Sequence, residues 1–151
     1  MTKVKYVNHN PEYELQKHGN WIDLASSDDY VMNHMDYALI DLGISMELPK
    51  WYKAEIKPRS STFKKFGIIL TNSVGEIDTE YCGQGDRWKF GALCLVHSTV
   101  ISKGDRIAQF TISLREDAPW YMKIKDLFTN PKLKQVDILS GANRGGFGST
   151  G

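Results

Sequence analysis

The sequence predicts an all-β chain, a sandwich, jelly roll or barrel, and three observations carry that reading. Short apolar runs punctuated by Gly, Pro, Asn and Asp alternate with the period of two that half-buried strands require. Turn signals recur roughly every 8 to 15 residues, which favours packed antiparallel sheets over a βαβ layer. No helical stretch is long enough for regular crossovers between parallel strands.

Taken in order, strands are expected at Lys3 to Val7, Trp21 to Leu24, Ala38 to Leu48, Tyr52 to Lys57, Gly67 to Thr71, Trp88 to His97 and Arg106 to Leu114. Ser60 to Lys65 suits a short helix with Ser60 or Ser61 as N-cap, because a hydroxyl there can accept a free first-turn N–H. Asp117 to Leu139 is the least legible stretch, broken by Pro119 and Pro131 around a weakly amphipathic Met122 to Phe128. It reads as a segment wrapped over a neighbour. From Ser140 onward, SGANRGGFGSTG holds almost no apolar side chain except Phe147, so burial cannot anchor it, and mobility is expected when no ligand is bound. The division expected is therefore one domain over 1–139 and a glycine-rich arm over 140–151.

The bulk numbers narrow the class. A chain of 151 residues with 41% hydrophobic and 25% charged residues is ordinary for a globular fold. Nineteen basic against eighteen acidic side chains leave a formal charge of +1, so no global field draws it to nucleic acid or an anionic membrane. Any phosphate binding must be local. The N-terminus lacks the apolar core of a signal peptide and no run of about 18 apolar residues occurs, so a cytoplasmic protein is expected. Cys82 and Cys94 are too few for a disulfide framework or a four-ligand zinc site and read as reduced thiols. The histidines at 9, 18, 34 and 97 have no metal-ligand spacing.

Four clusters have the residue types that phosphate chemistry uses. In the tail, glycines at 145, 146, 148 and 151 permit close backbone approach, Ser149 and Thr150 add hydroxyls, and Arg144 adds a fixed cationic fork. Composition alone fits a flexible polar end equally well, although Phe147 could stack on a base. Pro58-Arg59-Ser60-Ser61 could converge amides, hydroxyls and a guanidinium on an anion, or form only an N-cap beside a surface Arg. Asn72 to Tyr81 joins a glycine turn to acidic groups and an aromatic, and within it Asp78 could orient a water; the plainer alternative is a polar hairpin tip. Lys103 to Gln109 is a tight turn feeding an apolar strand, with Gln109 polar at its start.

Together and in this order the clusters resemble the five motifs of trimeric dUTPases, in the form found in Gram-positive bacteria and their phages. The first is Gly19 to Ala25, the second PRSS from Pro58, the third NSVGEIDTEY from Asn72, the fourth GDRIAQF from Gly104, and the fifth NRGGFGSTG from Asn143. Asp41-Leu42 competes with Asp23-Leu24 for the first motif, and Asp23 is preferred because Asp41 lies on a strand leading through MELP into the second. The segment Gln84 to Trp88 stands outside all five.

The resemblance implies a compact jelly-roll-like β-barrel with at most one short helix and a flexible C-terminal tail. It implies a homotrimer with shared active sites, each receiving its fifth motif from another chain. It implies hydrolysis of dUTP to dUMP and pyrophosphate, with Mg²⁺ held mainly by triphosphate oxygens and water. By position, Asp78 would activate the water that attacks the α-phosphorus. Arg59, Ser60, Ser61, Gln109, Arg144, Gly148, Ser149 and Thr150 would surround the phosphates. Asn72 and the backbone from Gly75 to Ile77 would read the uracil edge, Tyr81 would pack on the deoxyribose, and Phe147 would cover the base. No residue would ligate the metal directly; Asp23 would reach it only through water. Two other readings remain, a dCTP deaminase of the same fold and a prophage protein acting through a regulatory partner that the residues do not name.

Overall fold

The computed structural model describes residues 2–147. Among these residues thirteen strands and two helices follow one another. They are β1 (Lys3–Asn8), β2 (Gln16–His18), β3 (Trp21–Ala25), β4 (Tyr30–Asn33), β5 (Tyr37–Asp41), β6 (Ile44–Glu47), β7 (Tyr52–Pro58), α1 (Thr62–Phe66), β8 (Ile68–Leu70), β9 (Gly75–Ile77), β10 (Lys89–Cys94), β11 (Ser98–Ile101), β12 (Arg106–Leu114), α2 (Trp120–Phe128) and β13 (Lys132–Gln135).

The strands assemble as four small sheets, ordered β13-β1-β6, β5-β10-β8, β11-β4 and β2-β3-β12-β7-β9. Alternation explains the packing: along β7, Tyr52, Ala54 and Ile56 are buried while Lys53, Glu55 and Lys57 face outward. The inward rows meet in one core in which Trp88, Phe90 and Phe110 are fully covered, and Trp88 stands edge-on to Phe110 at 5.1 Å between centroids.

Two departures from the sequence expectation have local causes. The strand expected from Ala38 to Leu48 is two strands, because Gly43 turns the chain with φ at +70°, a conformation an L-residue adopts only with strain. The described residues also form two helices where at most one was expected. α1 lies where the sequence put it, but Ser61 makes no side-chain cap bond. Instead the Thr62 hydroxyl accepts the Arg59 N–H and donates to the Ile107 carbonyl, tying the turn to β12. The second helix, α2, has no buried residue, so the inward stripe that marks most helices in a sequence is missing. Its attachment is polar: the Tyr52 hydroxyl donates to Asp126 at 2.9 Å.

Candidate active site

The five-stranded sheet aligns the first group of polar residues. On it Gln109 stands opposite Asp23 of β3 on one side and Lys57 of β7 on the other. Arg106 is three residues from Gln109, so strict alternation would turn it to the other face. A bulge between Arg106 and Ala108 corrects the parity: Arg106 pairs with Ala25, two residues from Asp23, and therefore shares the face of Asp23 and Gln109. Arg59 follows two residues after Lys57 and falls on the same side.

The result is a buried carboxylate between two guanidiniums. Asp23 Oδ1 accepts from Arg59 Nε at 3.0 Å and Oδ2 from Arg106 Nη1 at 3.2 Å, with His18 Nε2 at 3.6 Å. Arg106 is held further by Gln16 Oε1 at 2.8 Å, and Gln109 donates to the Pro58 carbonyl at 3.2 Å. Ser60 is exposed and Ser61 partly so, beside Arg59. A cavity of about 240 Å³ lined by Asp23, Arg106, Tyr13 and Gln16 adjoins the group. Asp41 is elsewhere; it accepts the Gly43 N–H at 2.7 Å and closes the turn after β5. Between the two Asp-Leu pairs, the geometry puts Asp23 with the second and fourth motifs.

A second group forms around Asp78. Gly75, Glu76 and Ile77 pair with Ile56, Glu55 and Ala54, which fixes β9 on β7 and delivers Asp78 to its end. Asn72 lies exposed in the turn before it, where Val74 N–H reaches the Asn72 carbonyl. Asp78 Oδ1 accepts the N–H groups of Glu80 (2.9 Å) and Tyr81 (3.2 Å), and Oδ2 accepts Arg144 Nη1 at 2.6 Å. Burial alone would raise the Asp78 pKa, but the Arg144 guanidinium and the two amides outweigh it and hold the carboxyl below its ordinary value. Tyr81 is nearly buried, donates to the Arg87 carbonyl at 2.8 Å, and has its hydroxyl pushed up to about 12 by burial and by the Asp86 and Asp41 charges. Phe147 stands edge-on to Tyr81 at 6.3 Å, with Lys89 Nζ 5.7 Å from its ring centre. Gly148, Ser149 and Thr150 lie outside the described residues.

The two groups are at opposite ends of β7. Arg59 follows its last residue, whereas Asp78 comes just beyond the pairing of Ile77 with Ala54, six residues back or roughly 20 Å along an extended strand. Among the described residues no hydrogen bond or ion pair joins them. The open cavity of about 610 Å³ beside Asp78 also contains Glu76, Glu80, Glu116 and Asp117 against only Lys53 and Arg115, a poor host for a polyanion. A phosphate chain would need the cations of the first group.

Two contributors were not singled out from the sequence. Arg106 depends on a bulge that nothing in the residue pattern announces. Asp86 lies in the unassigned Gln84 to Trp88 segment; the signal was an acidic residue next to an apolar strand, where an unpaired charge is not expected.

A carboxylate, an aromatic and a guanidinium tail in one place, with an arginine-carboxylate cluster in another, form a donor set suited to a phosphorylated ligand. The dUTPase family model matches residues 21–151, and the chain belongs to the dUTPase family. It is 42% identical over 150 residues to the SPbeta prophage-derived deoxyuridine 5'-triphosphate nucleotidohydrolase YosS of Bacillus subtilis (strain 168), covering 99% of this chain and 96% of that one. It is 33% identical over 156 residues to the deoxyuridine 5'-triphosphate nucleotidohydrolase of Clostridium tetani, covering 99% and 95%. In fold it resembles the dUTPase from phage phi11 of S. aureus, whose structure is described as showing the coordination of a structural Mg(II) ion; the TM-score is 0.63 at 16% identity, over 90% of this chain and 97% of that one. The mostly β architecture expected from the sequence agrees with that likeness.

Proposed function

We propose that the chain is a dUTP diphosphatase, hydrolysing dUTP to dUMP and pyrophosphate at sites shared between subunits of a homotrimer. The observation that carries the shared site is the separation of the two groups along β7, which leaves Asp78 without phosphate-binding cations from the second and fourth motifs of its own chain. Another subunit supplies Arg59, Ser60, Ser61 and Gln109 for the phosphates, with Arg106 and Asp23 locking Arg59 in place.

Asp78 takes the proton from the attacking water. An ionised carboxylate suits that role at neutral pH. In the free chain its Oδ2 is occupied by Arg144; once Arg144 turns to a phosphate, Asp78 loses the contact that weakens it as a base. Asn72 and the main chain of β9 read the uracil edge, so a cytosine leaves polar groups unpaired, a mismatch able to cost on the order of 10⁴ in kcat/KM. Tyr81 packs on the deoxyribose, and Phe147 moves from the edge of Tyr81 to the base. Gly148, Ser149 and Thr150 complete the phosphate contacts.

The donor set fits Mg²⁺ carried by the nucleotide. Among the described residues no three His, Cys, Asp or Glu side chains gather as a protein cage, and both Asp23 oxygens already face guanidiniums. Bound to the phosphates, the ion offsets their charge and that of the leaving pyrophosphate. Among the described residues no helix is long and apolar enough to cross a membrane. The dCTP deaminase reading is not favoured, since the family model is that of dUTPases.

Incubation with Mg²⁺ and each dNTP or UTP should release pyrophosphate from dUTP alone; robust turnover of UTP or dCTP, or ammonia from dCTP, overturns the reading. Sharing of the site is tested by mixing. Asp78→Asn and Arg59→Ala chains, each inactive alone, should regain activity when unfolded and refolded together, because some interfaces then pair an intact Asp78 with an intact Arg59. No recovery in verified mixed trimers argues for a site built within one chain.

A further inference from the structure

Asp86 lies outside the reacting groups, is 2% exposed, and has no ion-pair partner among the described residues. A buried carboxylate is costly unless its lone pairs are filled. Here backbone N–H groups fill them: Gly83 at 3.0 Å, Arg144 at 2.8 Å and Gly145 at 2.8 Å. Two of the three come from the tail, 58 and 59 positions away in sequence.

The neighbouring contacts repeat the pattern. Gly85 N–H donates to Asn143 Oδ1 at 2.7 Å, and Gly83 forms a parallel bridge with Gly141. The approach is too close for any side chain at position 83, where a Cβ would come within 2.5 Å of the Asn143 backbone nitrogen. Immediately downstream, Arg144 reaches Asp78 and Phe147 meets Tyr81. The Gly83–Asp86 turn is therefore a cradle for main-chain N–H groups at the root of the tail.

We propose that Asp86 is the positioning residue of the fifth motif: by gripping the Arg144 and Gly145 amides it brings the Arg144 guanidinium and the Phe147 ring down over Asp78 and Tyr81. The grip recognises backbone, so it serves a tail from the same or a neighbouring subunit. Its catalytic meaning rests on the dUTPase reading; its geometry does not.

In the full-length protein without nucleotide, the Arg144 and Gly145 amides should exchange slowly with deuterium, and Asp86→Ala should abolish that protection while the β7 and β12 amides keep theirs. With dUTP, Asp86→Ala should lower kcat/KM about 10²-fold, the scale expected when a contributing group is displaced by about an ångström. The double variant Asp86→Ala, Arg144→Ala should lose clearly less than the product of the two single losses, since Asp86 acts in part through the placement of Arg144. Retained protection in Asp86→Ala, or losses that multiply in the double variant, overturns the proposal. Should Asp86→Ala not fold, Asn143→Ala touches the cradle from the tail side alone and must show the same change at Arg144 and Gly145 to a smaller degree; unaltered exchange there is equally fatal. Exchange does not depend on turnover, so failure of the grip and failure of the dUTPase reading give different results.

Discussion

Asp23 and Asp78 are both carboxylates paired with arginine, yet their side chains are 3% and 54% exposed. Asp23 is enclosed by two guanidiniums whose own positions are set by strand pairing, so the group is a fixed part of the sheet. Asp78 sits at a strand end, and its arginine arrives on a tail that burial does not hold. The first pair builds a cationic surface in advance, which is what electrostatic binding of a phosphate chain requires. In the proposed mechanism the second comes apart so that the carboxylate can act. Burial thus separates an ion pair built into the sheet from one that the proposed mechanism exchanges for substrate.

The largest effect should separate the two carboxylates by activity. Asp78→Asn removes the base and should lower kcat by about 10² to 10⁴-fold while dUTP binding measured by calorimetry persists. Retained turnover removes Asp78 from its role. Asp23→Ala instead leaves two guanidiniums facing each other, and should cost about 3 kcal/mol in urea unfolding, at the low end for breaking a buried pair because Arg59 and Arg106 keep some access to water. A loss below about 0.5 kcal/mol would place Asp23 among the exchangeable pairs instead.

The pH dependence sharpens the comparison. The Asp78 pKa is depressed in the fold, so its contribution to the docked tail is present above the ordinary aspartate value and is lost as pH falls through the lowered one. The protection factor of the Arg144 amide, its rate relative to the intrinsic rate at the same pH, should accordingly fall in acid before those of the β-sheet amides. Arg144→Ala should move the acidic limb of kcat/KM to higher pH, because the free carboxyl loses the contact that depresses it; a limb that stays in place disconnects the pair from catalysis. The smallest effect concerns a side chain on the opposite face of β7 from Lys53: Tyr52→Phe removes the hydrogen bond to Asp126 that ties down α2 and should cost about 1 kcal/mol with kcat unchanged.

Legibility followed pattern strength. β12 was readable from Arg106 to Leu114 because it alternates over nine residues and pairs on both sides. β2, with sequence QKH, has no apolar residue and exists only through its pairing with β3. β13 is KLKQ, recruited by β1 in parallel, with only Leu133 carrying an apolar signal. The exposed aromatics of α2 gave no inward stripe to find. Among the candidate residues, Arg59, Gln109, Asp78 and Tyr81 were singled out because their types and order carry the motifs. Arg106 and Asp86 were not, since one depends on a bulge and the other on amides some 58 residues away.

By itself the sequence determined the β class and the identity of the chemical groups, because alternation, turn residues and ordered motifs are local properties of the chain. Only the tertiary structure decided their company: the first, second and fourth motifs at one end of β7, the third and the described part of the fifth at the other, and Asp86 hydrogen-bonded to the tail amides of Arg144 and Gly145. Strand pairing joins residues far apart in sequence, and register, bulges and backbone amides set those unions without leaving a mark on residue type.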